Sequence, residues 1–309
     1  MTAGVTVAGW GRCLPEQVIT NADWAARLDT TDEWIVERTG IHSRHTGGTT
    51  VGNGVEAARA ALEAAGRAAS ELGLIVVATT TPDRLIPPTS TDVAEHLGVR
   101  CGAFDVAATC AGFVYAMVIA DGLCAQLRQP VLVIGTDTIT RLADPADRSM
   151  AVLFGDGAGA LVLEPTDGED DLLGWSLTTE PCSEILNCES GGYMFMNGQE
   201  VFYKAVHMAA ESIEAALKDA GLRPADIDVF VPHQANARIM EALARRVGVP
   251  RAKLVSTIDH MGNTSAASIP LALCEAASDG RLRPGSVVLM TAFGGGMTGA
   301  SAVLRWGNR

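Results

Sequence analysis

The chain repeats itself at about half its length, and no other feature limits its possible folds so tightly. "VTVAGWG" near the start resembles "DLLGWSL" in the second half, and "ELGLIVVATTT" resembles "DIDVFVPHQAN". "PVLVIGTDT" resembles "SVVLMTAFGGG", and "GAGALVLEP" resembles "GASAVLRWG". Four matches in the same order predict two similar βα halves. Within the first half, apolar strand-like runs alternate with alanine-rich helical stretches, the pattern of parallel sheet covered by helices. The fold class expected is therefore α/β. The acidic, turn-rich stretch 165–171 is the natural joint, giving halves at 1–168 and 169–309. At 309 residues, 48% of them hydrophobic, the chain can bury a sizeable core as one large unit or two domains.

Parallel sheets place ligands outside the carboxyl ends of their strands. Cys110, in "AFDVAATCAGFVYAMVIADGL", stands between a strand-like run and a helix that is apolar around nearly its whole circumference. At that helix's N-terminus the dipole and unpaired N–H groups favour a thiolate. A free cysteine also fills core as a small hydrophobe, so position alone leaves both readings open. The matching stretch of the second half is "DHMGNTSAASIPLALCEAA", where Asn263 is expected to start the equivalent helix. His233 follows the strand that matches "LIVVATT". Cys110, His233 and Asn263 are thus expected to meet at one interface between the halves.

Charge and cysteine usage exclude several classes. A net charge of −13 argues against a nucleic-acid binder, which needs clustered cations. No apolar run is read as approaching a membrane span, and the N-terminus lacks the basic-then-apolar pattern of a signal peptide, so a cytoplasmic protein with no membrane contact is expected. The seven cysteines include no CxxC pair, which speaks against zinc ribbons and dithiol redox motifs, and no metal site is expected. One local basic face stands out in "ANARIMEALARRVGVPR". Arg238 and Arg245 are seven apart on one helix face, with Arg246 and Arg251 close by. It is either a landing site for an acidic partner or an ordinary solvated face.

The segments "DVAATCAGF", "VPHQANARI", "GNTSAAS", "FGDGAGA" and "AFGGGMTGAS" resemble the motifs of the thiolase-fold condensing enzymes, and most closely those of the 3-oxoacyl-acyl-carrier-protein synthase III family. The similarity runs through nearly the whole chain, including "LPEQVITNAD" and "DTTDEWIVERTGIHSRH". The resemblance implies a five-layered αβαβα thiolase-like fold, a homodimer and a decarboxylating Claisen condensation. It assigns Cys110 as the nucleophile that takes an acyl group from an acyl-coenzyme A. His233 and Asn263 would hydrogen-bond the enolate left when a malonyl thioester loses carbon dioxide. Backbone N–H groups of Cys110 and Gly295 would form the oxyanion hole.

Substrate contacts follow from the same resemblance. Trp34 and Arg148 match positions that sandwich the adenine of coenzyme A, Arg38 a phosphate contact, and Asn236 a contact to the pantetheine arm. Arg238, Arg245 and Arg246 gain a rationale as the docking face for the acidic acyl carrier protein. Ile86 stands on a loop that borders the primer pocket in the family dimer. Coenzyme A is here a substrate, and no resident cofactor is implied. Two departures stand out: Tyr203 intervenes between "VF" and Lys204, and the stretch from about 166 to 198 is several residues short. His42, His45, His96, His207 and His260 lack motif context, though His260 is close enough to Asn263 to orient it. A polyketide-priming synthase or a related acyltransferase shares these motifs. A Cys-His-Asn hydrolase and a non-catalytic carrier-binding subunit fit them less well.

Overall fold

The computed structural model describes residues 3–307. The first half builds a five-stranded sheet from β1 (Gly4–Cys13), β2 (Leu74–Ala78), β3 (Gly102–Val106), β4 (Val131–Asp137) and β5 (Gly157–Thr166), in the order β1-β5-β4-β2-β3. The second half uses β6 (Leu172–Thr179), β7 (Val229–Pro232), β8 (Val287–Gly294) and β9 (Thr298–Arg305), in the order β7-β8-β9-β6. Read from the opposite edge, this is the same arrangement, with the β3 place reduced to one parallel bridge between Phe230 and Leu254. The sheets are mixed and not wholly parallel. β2 runs parallel to β4 and β7 to β8, whereas β5 and β9 are antiparallel to both neighbours.

Six helices complete the repeat: α1 (Thr50–Ala65), α2 (Thr89–Leu97), α3 (Gly112–Leu127), α4 (Gly198–Asp219), α5 (Ala237–Val247) and α6 (Ser268–Ser278). Side-chain alternation along each strand sorts them into layers. Ile75, Val77, Leu132 and Ile134 point outward under α1 and α2. Val76, Val133, Leu161, Val231, Met290 and Ala302 point inward onto α3 and α6. Phe230, Leu289 and Val303 face outward onto α4 and α5. The result is helix, sheet, helix, sheet, helix. Phe113 and Met117 of α3 are fully buried in the central layer, where truncating Phe113 to alanine would cost about 3–5 kcal/mol.

One sequence expectation needs correcting here. Thr109–Leu127 is long and apolar enough to cross a membrane, with 19 residues at a mean hydropathy of 1.6. It is the central helix with its leading turn, packed by both sheets, and that position demands an apolar surface all round.

The strand pairing also corrects the register of the repeat. Leu74 pairs with Val131 and Val229 with Val288, so Val131 is the counterpart of Val288. Aligned from their first residues, "PVLVIGTDT" and "SVVLMTAFGGG" instead equate Val131 with Val287. The β1/β6 and β5/β9 matches slip by one residue as well. Gly9 corresponds to Gly174, and the two make the same contact. A Cβ on Gly9 would lie 2.5 Å from the Ala61 carbonyl oxygen of α1, and one on Gly174 would lie 2.6 Å from that of Ala216 in α4. A one-residue slip in a strand exchanges its faces, so only packing reveals it.

Candidate active site

Two matching turns lie at the centre of the molecule. Thr109–Ala111 leads into α3 and Ser265–Ala267 leads into α6, each as one turn of 3₁₀ helix. Each opens on a non-glycine residue with positive φ, 47° at Thr109 and 52° at Ser265. That conformation is costly for a β-branched residue and is kept only where the surroundings enforce it. The third N–H of each turn closes it, Ala111 onto Ala108 at 3.1 Å and Ala267 onto Thr264 at 3.0 Å. The counterpart of Cys110 is therefore Ala266. Asn263 does not start the second helix as expected; it precedes the turn, five residues before Ser268.

Cys110, His233 and Asn263 nevertheless line one cavity of 920 Å³, with Ser265, Gly295 and Phe293 beside them. Cys110 Sγ lies 3.5 Å from Ser265 Oγ. Burial pushes its thiol up to about 11, against the pull of the Ser265 hydroxyl. A helix N-terminus offsets at most about 2 kcal/mol in a partly buried site, and one pKa unit is about 1.4 kcal/mol. Near neutral pH the resting group is thus a thiol and not the thiolate expected from helix position alone. Among the described residues, the Cys110 N–H donates to no other residue.

His233 leaves β7 with its N–H donated to the Thr291 carbonyl at 2.7 Å, and the residue is only 2% exposed. Burial drives its imidazole down to about 3, so it is neutral. Nδ1 lies 2.6 Å from Ser268 Oγ, which also accepts the Gln234 N–H at 3.4 Å. With that hydroxyl donating to Nδ1, the ring proton stands on Nε2 and points into the site. Phe293 packs edge-on against the ring with centroids 5.5 Å apart. Asn263 is fixed by its backbone, donating to Leu153 at 2.9 Å and accepting from Gly155 at 3.0 Å. Its Oδ1 accepts the Ser265 N–H at 2.9 Å, so the NH₂ end is the free one. The site holds a thiol, two side-chain donors and a backbone N–H that no other described residue engages.

The outer cavity carries Trp34, Arg38, Asn236 and Arg238. Arg38 and Arg148 both stack on the Trp34 ring, at 4.5 and 4.9 Å from its centroid, and Arg148 also pairs with Asp29 at 3.5 Å. The Asn236 amide is engaged at both ends. Nδ2 donates to the Arg38 carbonyl at 2.9 Å, and Oδ1 caps α5 through the Arg238 N–H at 2.9 Å. Arg245 and Arg246 are exposed further along α5, outside the cavity lining. Glu241 holds Arg251 at 2.8 Å and Arg245 at 3.9 Å. Ile86 is 86% exposed and does not line the cavity of its own chain. The short segment before Gly198 supplies rim residues Leu186, Cys188, Met194 and Met196. Of the two departures, Tyr203 is exposed and Lys204 pairs with Glu180.

None of His42, His45, His96, His207 and His260 lines the cavity. His260 bridges two carboxylates, with Nδ1 2.9 Å from Asp259 and Nε2 3.0 Å from Glu275, and they raise it to about 9. Sequence reasoning missed Ser268, Ser265 and Asp137. The first two stand inside the quoted "GNTSAAS". Asp137 had a signal of its own, a lone carboxylate ending an apolar strand.

Paired halves around a half-buried cysteine, with histidine and asparagine donors opposite, define a thiolase-like condensing enzyme. Residues 104–181 match the family described as 3-oxoacyl-[acyl-carrier-protein (ACP)] synthase III, and residues 217–306 match its C-terminal region. A beta-ketoacyl-[acyl-carrier-protein] synthase III of Rhodospirillum centenum is 49% identical, covering 97% of this chain and 98% of the relative. That of Caulobacter vibrioides is 47% identical over the same shares. The crystal structure of 3-oxoacyl-[acyl-carrier-protein] synthase III from Aquifex aeolicus superposes with a TM-score of 0.96 at 40% identity, covering 98% of this chain and all of that one. The priming beta-ketosynthase of the R1128 polyketide pathway superposes with a TM-score of 0.95 at 36% identity, covering 99% and 97%. The chain belongs to the 3-oxoacyl-acyl-carrier-protein synthase III family, a group of acyltransferase-type condensing enzymes.

Proposed function

We propose that the protein condenses an acyl-coenzyme A primer with malonyl-acyl-carrier protein to give a 3-oxoacyl-acyl-carrier protein, the opening step of fatty-acid synthesis. The observation that carries this reading is the shared cavity of Cys110, a neutral His233 and Asn263. In the first step the Cys110 sulfur attacks the primer carbonyl. A new S–C bond forms, coenzyme A leaves, and the thiol proton departs with it. In the second step the malonyl C–CO₂ bond breaks and its electron pair forms an enolate. His233 Nε2–H and the Asn263 amide stabilise the enolate oxygen. The enolate carbon attacks the Cys110 thioester, the oxyanion forms against the N–H groups of Cys110 and Gly295, and collapse expels the Cys110 thiolate. No resident cofactor is needed.

The same reading gives Trp34, Arg38, Arg148 and Asn236 to coenzyme A. Arg148 already covers Trp34, so an adenine would enter between them. Arg238, Arg245 and Arg246 receive the carrier protein. A homodimer would bury Leu85 and Ile86, which are 92% and 86% exposed, and carry Ile86 to the partner's primer pocket. Covering one such side chain is worth about 1.5–3 kcal/mol. Cytoplasmic residence fits these substrates. A polyketide-priming role is the second reading, favoured by the likeness to the R1128 enzyme. Intact mass spectrometry after incubation with a panel of acyl-coenzyme A thioesters tests the proposal. Acylation of Cys110, discharged by malonyl-acyl-carrier protein, is expected, and the accepted chain separates the two readings. No adduct on Cys110 would reject both.

A further inference from the structure

The two halves treat their matching turns differently at one position. Val131 is the counterpart of Val288, so six residues on, Asp137 at the end of β4 is the counterpart of Gly294 at the end of β8. Each strand end meets the turn of the other half. A Cβ on Gly294 would lie 2.9 Å from the Cys110 nitrogen and 1.8 Å from Thr109 Oγ1. Asp137 Oδ2 accepts the N–H of Ala266, the counterpart of Cys110, at 3.0 Å. Among the described residues, one turn N–H is therefore left without a partner residue, and the other is closed by a carboxylate.

Asp137 is fully buried. Its Oδ1 accepts from the Thr79 and Thr81 hydroxyls at 2.9 and 2.8 Å and from the Thr80 and Thr81 N–H groups at 2.7 and 3.0 Å. The Ser265 hydroxyl is near enough to favour the charged carboxylate, and this hydroxyl is the one that lies 3.5 Å from Cys110 Sγ. A buried carboxylate is tolerated only when its oxygens are saturated. Here one oxygen is filled by the first half and the other by the second.

We propose that Asp137 is a positioning residue that holds residues 263–266 of the second half in register with Cys110 of the first. Leu153 and Gly155 fix the Asn263 backbone at one end of this segment, and Asp137 fixes Ala266 at the other. The inference rests on the two-step reading above.

Asp137→Asn is the selective test. Asparagine keeps an oxygen for the donors of residues 79–81 but turns its amide N–H toward the Ala266 N–H, donor against donor. Malonyl decarboxylation is expected to fall about 10- to 100-fold, the scale of a roughly 1 Å misplacement. Acylation of Cys110 should change far less, and its alkylation profile should move to lower pH because a nearby negative charge is gone. Equal loss of both steps, or loss of neither, overturns the inference. If the variant does not fold, Asp137→Glu in a Cys110→Ala background serves instead, since it keeps the charge but shifts the carboxylate against the Ala266 N–H, and no effect can then run through the thiol. A lowered decarboxylation rate supports the inference and an unchanged one overturns it. Failure of the unmodified enzyme to acylate at all would strike the two-step reading, not the role of Asp137.

Discussion

The two halves share a topology, yet the groups they bring to the cavity are displaced in opposite directions by one cause. Burial raises the Cys110 thiol to about 11 and lowers the His233 imidazole to about 3. In both cases the charged form is the one disfavoured, so both groups rest neutral near pH 7. The first half waits with a nucleophile that is activated only when a substrate arrives. The second half waits with donors that are already in their working state. Related frameworks have been given different tasks by a few side chains at the turns.

The largest expected effect separates the tasks outright. Cys110→Ala removes the nucleophile and leaves both enolate donors, so condensation should vanish while slow malonyl decarboxylation persists. A radiochemical assay for released carbon dioxide reads the second step alone. His233→Ala should do the reverse. Decarboxylation is expected to fall about 100- to 1000-fold, the usual cost of losing one such donor, with acylation of Cys110 still measurable by mass. If His233→Ala abolished acylation and spared decarboxylation, the histidine would belong to the cysteine's half of the chemistry.

Acidity sharpens the contrast next. Alkylation of Cys110 by iodoacetamide should climb about tenfold per pH unit from 7 to 10, because only the thiolate reacts. Decarboxylation should show no inflection from His233 between pH 5 and 8, since its imidazole titrates near 3. A plateau of alkylation near pH 8.5 would mean that the helix dipole prevails over burial.

A smaller effect belongs to the second half's surface. Arg245→Glu with Arg246→Glu should raise KM for malonyl-acyl-carrier protein about five- to thirtyfold, with a steep salt dependence in the unmodified enzyme. Acylation from acyl-coenzyme A is the internal reference, and an equal loss there would make the patch structural. The smallest effect is thermal. His260 is raised to about 9 by Asp259 and Glu275, so its stabilising charge is fully present below about 6.5 and is lost as pH rises through 9. Tm should decline by roughly a few degrees across that window, and His260→Gln should flatten the decline.

The repeat and the meeting of the three principal residues between the halves could be read from sequence because each leaves a local mark. Apolar runs mark strands, and the motifs around Cys110, His233 and Asn263 are contiguous. The register of the repeat could not be read so easily. Strand sequences rich in valine and alanine look alike when slid by one residue, and only packing such as that of Gly9 and Gly174 fixes them. The resting state of Cys110 was also hidden, since the surroundings that keep its thiol protonated are a property of the assembled fold. Asp137 went unread because its donors come from residues 79–81 and 265–266, far from it in the chain.

The protonated resting state of the Cys110 thiol has a consequence for survival in a cell that meets peroxide. Oxidation to sulfenic acid and exchange with small disulfides both begin from the thiolate. A thiol held near 11 exposes little of that form at neutral pH, so the idle enzyme should resist inactivation by hydrogen peroxide. The vulnerable moment is turnover itself, when collapse of the condensation intermediate releases the bare thiolate. Acylated enzyme, with its sulfur masked, should be the most durable state of all.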